Sequence, residues 1–334
     1  MPDSEGGRCV AKVLITTDYL SAGDHVDVRL RRAGHETVHR PSSGNRAPDE
    51  RTTLLTGFDA AIVASEPVTD EMLASAPSLR IIARSGVGYD SVDVEAATRR
   101  GIAVCNAPGI NSNAVAEMTF ALLLSVARQL PETINAVRGG RWPRHDGREL
   151  RGATLGVVGL GPSGRRVIEL ASVFGMYTVA HTRFPSDEVA TCYGTRFVSF
   201  EELLEQSDFV SIHTRLDSGN RYLFSDSAFS RMRQTAFLIN TARGALIDEQ
   251  ALARALQSRE IAGAAIDVLE AEPMAPDHPL RACDNLQVTS HLAGQTTEAR
   301  AAAGIYAADC VVAALAGARP DGLVNPFAWR GSVA

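Results

Sequence analysis

The segment TLGVVGLGPSGRRVIELASVFG, residues 154–175, constrains this chain more than any other. A β-rich apolar run ends at Gly159, and Gly159, Gly161 and Gly164 follow in the spacing GxGxxG before a helical stretch begins. Glycine at the first position permits a tight turn, at the second lets backbone approach a pyrophosphate, and at the third lets helix pack on strand, with the helix N-terminus facing the phosphates. The bare triplet is a weak signal. With the strand ahead of it and the helix behind it, it reads as a dinucleotide-binding turn, which Pro162 and Ser163 complete.

Two series of β-rich runs surround this turn. The first is VLIT (13–16), HETVH (35–39), AAIVA (60–64), RIIA (80–83) and IAVCN (102–106). The loop GRELRG at 147–152 introduces the second: TLGVVGL (154–160), YTVAH (177–181), FVSIH (209–213), TAFLIN (235–240), AGAAIDV (262–268) and NLQVTS (285–290). These later runs are continuous rather than alternating in polarity, which marks a parallel sheet covered on both faces. Strands alternating with helical stretches predict an α/β chain of two doubly wound parallel-sheet domains, one flavodoxin-like and one Rossmann-like. The 334 residues suffice for two domains with a core each. Residues 1–106 and 293–334 are expected to form a discontinuous substrate domain, and 107–292 the nucleotide-binding one. The discontinuity is expected because Ile305, Ala308, Val312 and Leu315 share one face of the last helix, which needs a preformed surface to pack on. Helix 114–130 is apolar nearly all round, and a position at a dimer interface is expected for it.

Composition removes other classes. The chain carries 33 basic and 39 acidic residues, a net charge of −6, and no basic block, so no nucleic-acid partner is expected and a small molecule is. Cys9, Cys105, Cys192, Cys283 and Cys310 are odd in number, far apart and without a CxxC, which spells neither a disulfide framework nor a metal site and suits a reducing, cytoplasmic setting. The opening MPDSEGGRCV lacks the basic and apolar regions of a secretory signal, and residues 1–8 read as a loose tail. The apolar stretches 114–130 and 299–318 are broken by Glu117 and Arg128 and by Arg300 and Asp309, short of the roughly 18 apolar residues a membrane span needs.

The strand YTVAH runs into His181, Thr182 and Arg183, where a carboxylate would normally take the ribose 2′-hydroxyl. A hydroxyl and a guanidinium suit a 2′-phosphate instead, so NADP(H) is the favoured cofactor. The alternative leaves Arg183 in solvent and NAD(H) bound without a ribose carboxylate, or with Asp187 or Glu188 reaching back. Arg243 in NTARGALIDE, Glu272 in DVLEAEP and His291 in VTSHLAGQT lie at or beyond strand ends of the second series. Ligands of doubly wound sheets bind beyond the carboxyl ends of strands, so these three are candidates for one site. Reduction of a ketone needs a hydride from one side and a proton from the other. Histidine suits the proton donor, a carboxylate can orient it, and arginine can grip a substrate carboxylate with two hydrogen bonds. Taken singly, each has a plainer alternative: a structural histidine, a loop carboxylate ahead of Pro273, and an arginine capping a turn.

Together these motifs resemble the D-isomer-specific 2-hydroxyacid dehydrogenase family, which includes phosphoglycerate dehydrogenases, glyoxylate and hydroxypyruvate reductases, formate dehydrogenase and phosphite dehydrogenase. The resemblance runs from RSGVGYDSVD (84–93) through NAPGINSNAVAEM (106–118), GLGPSG (159–164), NTARG (240–244) and Glu272-Pro273 to SHLAGQT (290–296). It implies that Arg243 anchors the substrate carboxylate and carbonyl, that Glu272 partners the histidine, and that His291 is the general acid/base. It also implies that the backbone of Ser85, Gly86, Val87 and Gly88 contacts the carboxylate, and that the enzyme is a homodimer. Thr241, Ala242, Asp267 and Gly294 join the expected cofactor contacts, as does His213, read as a core or cofactor-lining residue. Arg215 stands where the family commonly has proline or another small or apolar residue, and either reaches the cofactor phosphates or points to solvent. Ser163 stands where the family often has isoleucine, a change that a turn binding through its backbone tolerates. Ser65, beside Glu66, and Arg84 are further candidates at the substrate. Trp142, Arg144 and His145 in RWPRHDG lie either in solvent or at the pocket, where they would suit a second anionic group such as a phosphonate, phosphate or carboxylate. The expected activity is reduction of a small 2-oxo acid to its D-2-hydroxy acid. Two rivals stand beside it: oxidation of a non-carbonyl anion such as phosphite or formate, and a cofactor-sensing, corepressor-like dimer, which the joint retention of Arg243, Glu272 and His291 disfavours.

Overall fold

The computed structural model describes residues 10–41 and 46–329, and the chain divides into two compact units, Met1–Asn111 with Thr297–Ala334, and Ser112–Thr296. Cys9 and the leading segment 1–8 lie outside the described residues.

In the first unit the strands β1 (Lys12–Ile15), β2 (Glu36–His39), β3 (Ala60–Val63), β4 (Ile81–Arg84) and β5 (Ala103–Cys105) form an all-parallel sheet in the order β2-β1-β3-β4-β5. Side chains alternate across a strand, so one sheet supplies two cores. Leu14, Ala61, Ile82 and Val104 face Leu54, Leu55 and Met72, while Val13, Ile15, Ile62 and Ile81 face Val26 and Leu30 of helix His25–Arg32 and the C-terminal helix Thr297–Leu315. That last helix corrects the sequence reading in one respect. Its buried face is Ala303, Gly304, Ala307, Ala308, Val311 and Ala314, whereas Ile305, Val312 and Leu315 are only half-buried on its flank. Small residues let the helix axis come close: a Cβ on Gly304 would stand 3.0 Å from Val26 Cγ2. Bulk at that face would push it away.

The second unit holds β6 (Thr154–Val158), β7 (Tyr177–His181), β8 (Arg196–Phe197), β9 (Phe209–Ile212), β10 (Phe237–Asn240), β11 (Gly263–Ile266) and β12 (Leu286–Val288). All pairings are parallel, in the order β12-β11-β10-β9-β6-β7-β8. The chain lays strands outward from β6 in one direction, then returns to lay β9 on its other side, which makes the β6/β9 boundary the topological switch point. β8, two residues long, is too short to show a period in the sequence. Leu155, Val157, Phe209 and Ile239 pack on one face against helices Ser112–Arg128 and Pro162–Val173; Val158, Val210, Ile212 and Leu238 pack on the other against Leu252 and Leu256 of helix Glu249–Gln257.

The helix Ser112–Arg128 lies largely within the core of its own unit. Phe120, Leu122, Leu123 and Val126 sit in the core of this unit, Phe120 stacks on Phe174 at 4.9 Å between centroids, and Asn113, Glu117, Ala121 and Arg128 make a narrow exposed stripe. Its own unit covers most of its girth. No helix among the described residues is long and apolar enough to cross a membrane.

Candidate active site

The glycine turn caps β6. Gly159 adopts φ +97°, donates its N–H to the His181 carbonyl at 2.8 Å, and leaves no room for a side chain: a Cβ there would stand 2.6 Å from the Thr214 nitrogen. A Cβ on Gly164 would overlap the Gly159 carbonyl, whereas one on Gly161 would meet nothing within 4 Å. Two glycines are thus required by protein packing, and the third faces open space. The following helix Pro162–Val173 starts at Gly161 with no side-chain cap on its first N–H groups. Open space over Gly161 and an uncapped helix N-terminus are the cradle a pyrophosphate fills, so a dinucleotide fits this turn.

The tips of β7 and β9 flank the turn. His181 points back toward the sheet, its Nδ1 3.2 Å from the Val198 carbonyl and its ring against Phe200. Thr182 and Arg183 follow, and the exposed guanidinium of Arg183 donates to Asp217 Oδ2 at 2.7 Å. Asp187 and Glu188 form the first turn of a helix capped by Ser186. Beyond β9, His213 sits beside the turn with Nε2 2.7 Å from Ser211 Oγ, and burial pulls its pKa down to about 4. His213 is therefore neutral at pH 7. The side chain of Arg215 is exposed, while its carbonyl accepts the Asn220 amide at 2.6 Å.

Arg243, Glu272 and His291 follow β10, β11 and β12, three adjacent parallel strands whose carboxyl ends lie in a row. Buried Asn240 ties the turn after β10, accepting the Ala242 N–H at 3.0 Å and donating to the Arg243 carbonyl at 2.9 Å. Gly244 is needed next because a Cβ there would overlap the backbone of Leu269 and Glu270, so the Arg243 turn lies flush against the loop that carries Glu272. In that loop Glu272 Oε1 accepts the Leu269 N–H at 3.0 Å, and Oε2 meets His291 Nδ1 at 2.9 Å. His291 itself has φ +58°, an uncommon conformation for a side chain of this size.

What holds that backbone is Asp267. Its buried carboxylate accepts the Thr289 hydroxyl at 2.5 Å and the N–H groups of Leu292 and Ala293 at 2.8 and 2.7 Å, and its carbonyl accepts the His291 N–H at 2.8 Å. Asp267 is expected from sequence at the cofactor; its carboxylate is engaged in shaping the loop of His291. An aspartate directly after a buried strand is the signal that could have suggested this, since such a group must find several donors. Thr241, also buried, meets Thr119 at 3.2 Å, and Gly294 lies in the turn that follows His291.

In the first unit the loop after β4 separates its donors from its acceptors. The carbonyls of Ser85, Gly86, Val87 and Gly88 accept, in turn, the Tyr19 hydroxyl, the Ala107 N–H, the Asn106 amide and Arg84 Nε. The Ser85 N–H is taken by the Val63 carbonyl at 2.9 Å, which removes it from the set of amides expected at a substrate. Among the described residues the N–H groups of Gly86, Val87 and Gly88 have no acceptor. Consecutive amides of this kind suit an anion. Ser65 is exposed, and its neighbour Glu66 is buried with Arg46 Nε at 3.3 Å. Trp142, Arg144 and His145 lie exposed in an irregular stretch of the second unit.

Residues 120–293 match the family model described as D-isomer specific 2-hydroxyacid dehydrogenase, NAD binding domain. The chain is 42% identical over 291 residues to a glyoxylate reductase of Aeropyrum pernix, covering 83% of this chain and 87% of that protein. It is 39% identical over 258 residues to a D-3-phosphoglycerate dehydrogenase of Archaeoglobus fulgidus, covering 76% of this chain but 49% of that longer protein. Among solved structures, a protein from Thermus thermophilus superposes with a TM-score of 0.85 at 36% identity, covering 94% of this chain and 99% of the other.

Proposed function

The chain belongs to the D-isomer specific 2-hydroxyacid dehydrogenases, NAD(P)-dependent oxidoreductases, and from that premise we propose that it is a cytoplasmic, homodimeric reductase of small 2-oxo acids that prefers NADP(H) to NAD(H). The observation that carries the chemical part is the His291–Glu272 pair, 2.9 Å apart at the end of the strand row that also bears Arg243. When bound, the reduced nicotinamide supplies the hydride. The residues supply the rest. Glu272 fixes the imidazole through Nδ1, so Nε2 is the nitrogen left to hand a proton to the carbonyl oxygen as the carbonyl carbon receives the hydride. Glu272 is itself held through its other oxygen, which keeps the ring from turning. Arg243 is assigned to the substrate carboxylate, where a planar fork of donors matches two oxygens.

The preference for NADP(H) rests on Thr182 and Arg183 after β7, with no carboxylate in the tip itself. The dimer has a surface suited to it: Leu130, Ile134 and Val137 lie 43%, 47% and 42% exposed at i, i+4 and i+7 on helix Leu130–Arg138. Ile134→Asp is expected to shift the sedimenting mass from two chains to one.

The activity is tested by initial rates with NADPH and NADH against glyoxylate, hydroxypyruvate, pyruvate, phosphonopyruvate, 3-phosphohydroxypyruvate and ketopantoate. His291→Ala is expected to lose about 10²–10⁴-fold in kcat with cofactor binding unchanged. Near-normal turnover in that variant removes the histidine from its role. Turnover of phosphite or formate and of none of the keto acids would replace the reading by an anion oxidase, and a ranking that places the dianionic keto acids first would bring Arg144 and His145 into the pocket.

A further inference from the structure

We propose that Asp217 is a specificity-determining residue that weakens the discrimination for NADP(H), by occupying the guanidinium that a 2′-phosphate would use. This rests on the reading of Arg183 as the phosphate-binding residue and adds a second residue that opposes it.

β7 and β9 are the immediate neighbours of β6 on either side, and strands lie about 4.8 Å apart, so their tips stand roughly 10 Å apart across the end of β6. Gly159 touches both: it donates to the His181 carbonyl on one side, and its missing side chain accommodates the backbone of His213 and Thr214 on the other. The Arg183–Asp217 pair, at 2.7 Å, therefore bridges the two loops that border the dinucleotide turn. It joins residues 34 apart in sequence.

The aspartate is presented by a built loop. Asp217 Oδ1 accepts the Gly219 N–H at 2.9 Å, the Asp217 N–H goes to Asn220 Oδ1 at 2.8 Å, and buried Asn220 also donates to the Arg215 carbonyl at 2.6 Å. Arg183 beside it holds the Asp217 carboxyl below its ordinary pKa, so the group is charged throughout the neutral range. A 2′-phosphate carries close to two negative charges at pH 7. It meets an arginine with part of its donor fork engaged, and a carboxylate within one hydrogen bond of that fork. A 2′-hydroxyl carries no charge and meets no such opposition. Asp217 thus costs NADP(H) more than NAD(H). Exposed pairs are weak, so the expected effect is about 3- to 10-fold in the ratio of the two affinities.

The test is calorimetric titration of the whole protein with NADP⁺ and with NAD⁺, in four forms: the parent, Arg183→Gln, Asp217→Asn and the double variant. Asparagine keeps the acceptor for Gly219, so the loop retains its shape. Arg183→Gln is expected to lower the NADP⁺ to NAD⁺ affinity ratio about 10-fold; no change there removes the phosphate-binding reading itself. Given that loss, Asp217→Asn is expected to raise the ratio about 3- to 10-fold while the NAD⁺ affinity stays the same, and to do nothing in the Arg183→Gln background. A ratio that does not rise overturns the role of Asp217. A rise of equal size with and without Arg183 overturns it too, because the aspartate would then act as a diffuse charge and not through the arginine.

Discussion

The two ends of the seven-stranded sheet's carboxyl edge are built to different standards. At the tips of β10 to β12, Asp267 is 1% exposed and holds the His291 loop by several hydrogen bonds, both oxygens of Glu272 are engaged, and Gly244 lets two loops lie in contact. At the tips of β7 and β9, Arg183 has 63% of its side chain exposed and a single ion pair positions it. Proton transfer needs its atoms fixed within a fraction of an ångström, so the fold backs the His291–Glu272 pair, itself 50% and 37% exposed, with the buried carboxylate of Asp267. Selecting one cofactor over another needs only a small difference in affinity, which an exposed arginine supplies and its exposed ion pair moderates.

The contrast is broken most severely by removing Asp267. Asp267→Ala leaves the Thr289 hydroxyl and two N–H groups without their acceptor in a buried place, and is expected to cost about 3–5 kcal/mol in urea unfolding together with most of the turnover. A variant of parental stability would mean that the His291 loop is held by something else. Next in size is an effect of pH under the glycine turn. His213 has a folded pKa of about 4, below its ordinary value of 6.5, so the unfolded chain binds a proton that the folded chain refuses. Stability is therefore full above pH 6.5 and falls as the pH drops toward 4, by roughly 3 kcal/mol over that window at 1.36 kcal/mol per unit. His213→Gln is expected to flatten this part of the stability profile. An equally steep profile in the variant would assign the acid sensitivity to other groups.

The same contrast explains what the sequence made legible. The strand runs were readable because buried parallel strands are continuous and apolar, and Arg243, Glu272 and His291 were readable because each stands just past such a run. The glycine turn at Gly159, Gly161 and Gly164 was readable from its spacing together with the strand before it and the helix after it. Illegible were the features that depend on which hydrogen bonds are already made. Nothing in RSGVG says that the Ser85 N–H belongs to Val63 while the next three amides have no acceptor among the described residues. Nothing in the sequence pairs Arg183 with Asp217, since an ion pair between loops has no period and no spacing. The C-terminal helix misled for a related reason: a size-weighted face pointed to Ile305 and Leu315, but close packing on the sheet selected the small residues Ala303, Gly304 and Ala307.

Two smaller effects sharpen the comparison. Glu272→Gln keeps a hydrogen-bond partner for His291 Nδ1 but removes the charge, so kcat is expected to fall about 10- to 100-fold while the NADP⁺ to NAD⁺ affinity ratio stays constant. A changed ratio would show that the two ends are not independent. The smallest effect belongs to Asn220, which touches neither Arg183 nor a site for the cofactor by any contact of its own, yet fixes the loop from Arg215 to Asp217 through two hydrogen bonds. Asn220→Ala should let Asp217 wander from the guanidinium part of the time. The affinity ratio should then move in the same direction as in Asp217→Asn, toward NADP⁺, but by only about 2-fold, since a carboxylate that visits its partner less often still screens it when it does. A ratio that moves toward NAD⁺ would mean that the ordered loop holds Arg183 in place for the phosphate, and that the pair assists the selection it is here taken to oppose.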